Sequence, residues 1–299
     1  MKILRRVTPP TKRSRDGFIV VAVLWILGAL ATLASIYAVY VINTATAMGV
    51  NDDRLQAEGL VTAALELTTY RLTSTDADNR PSRGDFVFRL GRAGVTVDFR
   101  SEAGRIDLNK APKELLAGLF AGLGAKYSDA EYYADRIIGW RTSQDPDKPD
   151  DEASAYRTAG RAYPPRHAPF AHVGELALVL GLPPFLVERA MPFVTVFSGR
   201  AEINVVAAAP EVVAAVPGMT PDRLYAVLSQ VGRGQQNAQF LQSFVGNQPG
   251  ITIDAGKTAR VSVRMDFGTG RRVLAEAVIL LLGETGEPFR VLSWRDDFD

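Results

Sequence analysis

The chain contains no cysteine, only two histidines, and almost no net charge, with 34 basic residues against 33 acidic ones. The first absence excludes disulfides, thiolate nucleophiles and cysteine zinc sites. A folded domain here must rely on packing, or on a hard metal ion held by oxygen. The second leaves His167 and His172, both in a proline-rich stretch, as surface or loop residues. The third removes any general electrostatic footprint for nucleic acid, because acids and bases are interspersed. A P-loop and a GxSxG nucleophile elbow are also missing, and nothing places Ser143 beside a histidine. No catalytic constellation is legible, so the chain is read as a non-enzyme.

What is present begins at the N-terminus. Phe18 to Ile42 form one uncharged apolar run, and no charge follows until Asp52. At about 1.5 Å per residue, a helix of this length crosses a hydrocarbon core of roughly 30 Å. Lys2, Arg5, Arg6, Lys12, Arg13 and Arg15 precede it, against the single acid Asp16. Basic residues beside a first span hold that end in the cytoplasm. The remainder is therefore expected to be exported. A secretory signal peptide would have a shorter apolar stretch and a small-x-small cleavage site. From hydropathy alone, a plain signal anchor remains open.

The residues at the junction narrow this choice. Arg15-Asp16-Gly17-Phe18-Ile19-Val20-Val21 resembles the cleavage site of type IV pilin-like precursors. The resemblance implies that a prepilin peptidase cuts between Gly17 and Phe18 on the cytoplasmic side and that Phe18 is then methylated. The apolar segment stays on the mature protein. Most members of that family carry glutamate at the fifth mature residue, where this chain has Ala22. A carboxylate in a bilayer is expensive without a partner. In such filaments the implied partner is the N-terminal amine of an adjacent subunit. A subunit lacking the glutamate suits a filament tip.

Beyond the span, Asn51 to Leu72 continues helical spacing through Leu55, Leu60, Ala63, Ala64, Leu67 and Leu72. Turn formers from Ser74 to Pro81 end it. Asp85–Leu90 and Val95–Arg100, joined across Gly91 to Gly94, read as a β-hairpin. Ala259–Phe267 alternates strictly, Gly268-Thr269-Gly270 turns it, and Val273–Leu282 and Phe289–Trp294 read as two further strands. Strands thus flank a helical middle. The expected fold is α+β, a long N-terminal helix packed on one antiparallel sheet with a large inserted α-helical domain. The expected boundaries are 1–17 leader, 18–42 span, 43–105 helix and first strands, 106–245 insert, and 246–299 closing strands.

The insert contains a repeat. Ile106-Asp107-Leu108-Asn109-Lys110-Ala111-Pro112-Lys113-Glu114-Leu115-Leu116 aligns without gaps to Ile203-Asn204-Val205-Val206-Ala207-Ala208-Ala209-Pro210-Glu211-Val212-Val213. Asx and proline suit a turn and a first helical turn, and glutamate complements a helix N-terminus. The copies reach Gly122-Leu123-Gly124 and Pro217-Gly218-Met219. A related unit runs from Phe170 through Glu175-Leu176 to Gly181-Leu182-Pro183. These units resemble SAM-like or helix-hairpin-helix modules. A membrane-anchored DNA-binding protein is therefore the alternative reading. The Pro217–Pro221 turn lacks a nearby basic cluster, and aspartates at 145–151 repel phosphate. A membrane-anchored hydrolase is a third class, with less to favour it.

Taken together, the chain resembles the K-type minor pseudopilins of the type II secretion pathway. The carriers are Gly17/Phe18, Ala22, Trp25, the segment Glu102-Ala103-Gly104-Arg105-Ile106-Asp107-Leu108-Asn109, Glu175-Leu176 and the Ile203-Asn204-Val205 repeat. The resemblance implies a pilin-like frame with a helical insertion and a place at the pseudopilus tip, initiating assembly. It also implies I-, J- and H-type minor pseudopilins and a prepilin peptidase as partners, with no nucleic acid. The implied location is the bacterial inner membrane, single-pass, with a cytoplasmic N-terminus and a periplasmic C-terminal domain. Val206 departs from the asparagine usual in the second repeat, which is expected to weaken a local turn.

The densest polar cluster is Asp145-Pro146-Asp147-Lys148-Pro149-Asp150-Asp151-Glu152. Several carboxylates in one short loop suit Ca²⁺, which takes about six to eight oxygens. A solvated acidic loop is the plain alternative. It is not an EF-hand, since no glycine occupies the sixth position after Asp145 and Tyr156 stands where the last glutamate would be. The family resemblance also implies metal binding here, with Asp145, Asp147, Asp150, Asp151 and Glu152 as candidate ligands.

Overall fold

The computed structural model describes residues 16–147, 149–231, 238–268, 271–283 and 286–296. The basic leader before Asp16, Lys148 and the Thr269-Gly270 part of the expected turn lie outside the described residues. The chain divides into two compact units, 1–56 and 57–299, and each is described by itself.

One helix, α1, spans Asp16–Thr73. Its stretch Phe18–Thr44 is long and apolar enough to cross a membrane. Side chains there, Trp25 among them, are exposed, as a lipid-facing surface would be. The threonine and serine hydroxyls in this stretch are satisfied locally. Thr32 Oγ1 donates to Gly28 O (2.8 Å), Ser35 Oγ to Ala31 O (2.9 Å) and Thr44 Oγ1 to Tyr40 O (2.8 Å). Such back-bonding is what hydrocarbon demands of a polar group.

In the second unit, α1 buries Ala57, Leu60, Val61, Ala64, Leu65 and Leu72. This corrects the expected stripe. Leu55 is 59% exposed and Leu67 40%, while Thr68 and Thr69 are buried in their place. A search for bulky apolar residues passes over them. Thr68 still fits a dry face because its hydroxyl donates to Ala64 O at 2.7 Å.

After α1 come β1 (Arg83–Leu90) and β2 (Ala93–Ser101), joined by the two-residue turn Gly91-Arg92. Gly91 takes φ 61°, which suits glycine in a tight hairpin. The insert follows, with β3 (Ile106–Asp107), α2 (Lys113–Gly122), α3 (Tyr127–Arg141), α4 (Asp151–Thr158), α5 (Pro184–Ala190), β4 (Val194–Thr195), β5 (Ile203–Asn204), α6 (Pro210–Ala214), α7 (Pro221–Val231), α8 (Ala238–Gly246) and β6 (Ile251–Thr252). The chain then closes with β7 (Thr258–Asp266), β8 (Arg272–Leu281) and β9 (Phe289–Asp296).

The main sheet is antiparallel, in the order β1-β2-β7-β8-β9. Its inner face presents Val95, Val97, Phe99, Val261, Val263 and Met265 to the same core as α1. Strands β2 and β7 pair directly, from Gly94↔Asp266 to Ser101↔Ala259. The insert therefore occupies the place of a hairpin loop between neighbouring strands. It has its own core, which includes Leu116, Phe120, Ile137, Trp140, Tyr156, Leu176, Val194 and Val212. The fold is α+β.

Candidate functional site: the insert junction and the acidic loop

The sheet meets the insert just after β2. Ser101 Oγ accepts from Ala103 N (3.1 Å), turning the chain through a single 3-10 turn, Glu102–Gly104. Gly104 is needed there, since a Cβ would stand 2.7 Å from the carbonyl carbon of Ala207. Glu102 is 1% exposed. Its Oε1 accepts from Arg260 Nε (2.7 Å) and its Oε2 from Thr195 Oγ1. Arg260 also donates from Nη1 to Glu276 Oε1 (2.5 Å). Burial acts to lower the Arg260 pKa, but Glu102 and Glu276 outweigh it and hold it above the ordinary value. For Arg105 the balance goes the other way: burial, followed by Arg260, outweighs the pull of Glu102 and Glu276 and holds it below the ordinary value.

The two repeat copies do the same job on each side of the insert. Asp107 Oδ1 accepts from Asn109 N (2.8 Å), and its Oδ2 accepts from Ser198 Oγ (3.0 Å) and Gly199 N (2.7 Å). Asn204 Oδ1 accepts from Val206 N (2.9 Å) and Ala207 N (3.0 Å). Its Nδ2 donates to Ser82 Oγ and to Asp254 O, both at 2.8 Å. Each Asx also sits in a short parallel pair, β3 with β4 and β5 with β6. At Val206 the turn is formed, made by the Asn204 side chain and the Val206 backbone amide. At the equivalent position, Asn109 instead ties to Phe170, donating to its O (3.0 Å) and accepting from its N (2.7 Å). Asparagine at this position is a tie between segments rather than a turn former.

Beside the helix-hairpin-helix-like turn at Gly218 lies Arg223, whose guanidinium is already occupied. Arg223 Nη1 donates to Gln248 Oε1 at 2.8 Å.

In the acidic loop, Asp145 and Asp147 are exposed, and Asp145 Oδ1 accepts from Asp147 N (3.1 Å). Asp151 is exposed in the first turn of α4. Asp150 caps that helix, its Oδ1 accepting from Ala153 N (2.8 Å). The Ala153 amide holds the Asp150 carboxyl below its ordinary pKa against the opposing effect of burial, and His167 adds to the lowering. Glu152 turns inward to Arg136, whose Nη1 lies 2.9 Å from Oε2. Gly139 makes room for it, since a Cβ there would stand 2.7 Å from the Glu152 carboxyl carbon. Burial pushes the Glu152 carboxyl up against the pull of Arg136. Its Oε1 is buried with no hydrogen-bond partner. The carboxylates are therefore close in sequence, but Asp145, Asp150 and Glu152 each serve a different partner. Among the described residues, no three histidine, cysteine or carboxylate side chains gather closely enough to hold a metal ion.

His167 joins the two ends of this loop. Its Nδ1 lies 3.1 Å from Thr142 O, and its Nε2 lies 2.9 Å from Asp150 Oδ2. It does so from φ 52°, a left-handed conformation rare outside glycine. Proline-rich surroundings gave no signal of this. Replacing Asp150 by alanine removes both the cap and the His167 contact. It is expected to destabilise the fold by about 1–2 kcal/mol, while Asp147→Ala changes stability by less than about 0.5 kcal/mol. Thermal melts of both variants in chelator check this.

At the processing junction, Gly17 and Phe18 lie in the first turn of α1, and the Phe18 side chain is exposed.

Comparison with known proteins gives two findings. Residues 99–199 match the family model described as type II secretion system (T2SS), protein K. This segment runs from β2 through Glu102, the first repeat copy and the acidic loop to Gly199. Among solved structures, the chain is similar to one reported as the crystal structure of the GspK-GspI-GspJ complex from the enterotoxigenic Escherichia coli type 2 secretion system. The identity is 15%, the TM-score is 0.59, and the match covers 85% of this chain and 99% of that one. No curated protein matches the chain. At 15% identity the structural likeness is one of fold: a long helix on an antiparallel sheet, with a helical domain inserted between two neighbouring strands.

Proposed function

We propose that this chain is a K-type minor pseudopilin, a structural subunit at the tip of a type II secretion pseudopilus. The observation that carries the reading is the insert between β2 and β7 of a pilin-like helix-and-sheet frame. The family match over residues 99–199 and the fold likeness over most of the chain support it. In this reading Phe18–Thr44 anchors the subunit in the inner membrane, with the leader in the cytoplasm and the head in the periplasm. A prepilin peptidase cuts between Gly17 and Phe18 and methylates Phe18. The partners are I-, J- and H-type minor pseudopilins. Ala22 leaves no carboxylate for the amine of a subunit above, so the complex starts the filament rather than extending it.

The deciding experiment labels the subunit and images isolated pseudopili. Label confined to one end is expected, and label spread along the shaft would refute the tip position. N-terminal sequencing of the membrane form is expected to start at Phe18, and an intact Met1 start would remove the processing claim. Ala22→Glu places an unpaired carboxylate in the membrane at about 3 kcal/mol or less, and secretion is expected not to improve. A strong gain would show that the missing glutamate is a defect.

A second part of the proposal is Ca²⁺ binding by the loop from Asp145 to Glu152. Its support is the carboxylate density and the buried, unpartnered Glu152 Oε1. Asp145, Asp147 and Asp151 are the exposed donors, and Asp150 and Glu152 join only by sharing or exchanging their present partners. Calcium at a hundred times its dissociation constant is expected to stabilise the fold by about 2.7 kcal/mol. Identical melting curves in calcium and in chelator would refute this.

A further inference from the structure

A cavity of about 450 Å³ opens between the outer face of the sheet and the insert. Part of its lining is charged, with Arg105, Arg260, Glu276 and Arg295. Part is apolar, with Val173, Met191, Pro192 and Phe197. Among the described residues, two carboxylates, Glu102 and Glu276, serve three guanidinium groups, and Arg260 takes the close contact with both. Arg105 Nε stands 4.0 Å from Glu102 Oε1, and Arg295 Nη2 stands 3.9 Å from Glu276 Oε1. Those are ion-pair distances, too long for a hydrogen bond. Among the described residues neither arginine donates a side-chain hydrogen bond, so two forks of N–H groups are left over at the cavity. Burial, followed by the neighbouring Arg260 charge, lowers the Arg105 pKa despite Glu102 and Glu276.

His172 adds a donor. Its Nδ1 accepts from Gly174 N at 2.9 Å, so the ring proton sits on Nε2. His172 lines the same cavity.

We propose that this cavity binds an aspartate or glutamate side chain on an apolar peptide segment of another protein. Arg105, Arg295 and the Nε2–H of His172 meet the carboxylate, and the flanking apolar side chain packs on Met191, Pro192 and Phe197. Charge complementarity selects an anion, since a carboxylate between guanidinium groups makes short, charge-assisted bonds. The apolar lining selects a peptide over a small inorganic anion, which would leave that surface wet.

The test uses the full chain in detergent micelles and a fluorescein-labelled peptide, Gly-Leu-Asp-Leu-Gly amide. The Asp peptide is expected to bind about ten-fold tighter than its Asn counterpart. Arg105→Gln and Arg295→Gln are each expected to weaken it about five-fold, while Arg89→Gln, at the end of β1 away from the insert, leaves it unchanged. Arg295 is 73% exposed in its side chain, so its variant folds even if the Arg105 variant does not. Equal affinity for the Asp and Asn peptides, or no loss in Arg295→Gln, would overturn the proposal. Inorganic phosphate binding as tightly as the Asp peptide would overturn it in favour of a simple anion site. None of these outcomes depends on filament assembly.

Discussion

Arg260→Ala is expected to destabilise the unit 57–299 by roughly 3–5 kcal/mol, because it removes the close partner of a buried charge. Glu102 is 1% exposed and would keep only Thr195 Oγ1 and the longer Arg105 contact. The loss falls where β2, β7 and β8 hold the root of the insert, so both cores feel it. Arg264→Ala is the control. Arg264 lies on the same outer face of β7 and is exposed, and its removal is expected to change stability by less than about 0.5 kcal/mol. Denaturant unfolding of the two variants separates them, and equal midpoints would refute the buried-pair account. Replacing the pair together, Glu102→Leu with Arg260→Met, is expected to recover much of the loss. Removing both charges leaves neither one buried alone.

Gly118→Ala is expected to cost about 1–3 kcal/mol or more, whereas Gly122→Ala on the same helix stabilises by up to about 1 kcal/mol. At Gly118 a Cβ would stand 2.2 Å from Ala215 O, so α2 and the end of α6 must separate. The obstacle is backbone, and no rotamer change relieves it. Ala215→Gly is therefore expected not to rescue the first variant. At Gly122 nothing lies within 4 Å of a new Cβ, and the backbone is not left-handed. There only the helix propensity remains. Thermal melts of the three variants check the contrast, and a harmless Gly118→Ala would mean that the two helices are not held at this distance.

Glu102 stands in a segment that marks the family resemblance, but nothing local marks it as buried. Arg260 occupies an outward position of an alternating strand, as Arg264 does, and the sequence does not distinguish them. Their difference arises because Arg260 lies at the end of β7 facing the insert, beside Glu102 and Glu276. The acidic loop was legible as a cluster of carboxylates. That Asp150 is a helix cap and Glu152 an inward partner of Arg136 depends on where α3 and α4 pack.

The sequence by itself determined the elements whose signals are local. The apolar run from Phe18, the alternation in β2 and β7, the glycine turns and the Asx-Pro repeat each follow from side-chain periodicity or backbone preference within a few residues. Only the tertiary structure decided the rest. Ser101 pairs with Ala259 across the whole insert. Thr68 and Thr69 take buried places while Leu67 stays out. His167 adopts a left-handed backbone to bridge Thr142 and Asp150. Each of these is set by a partner remote in the chain. Burial and pairing energies belong to contacts between segments, and a pattern read along one segment holds no record of what is brought against it.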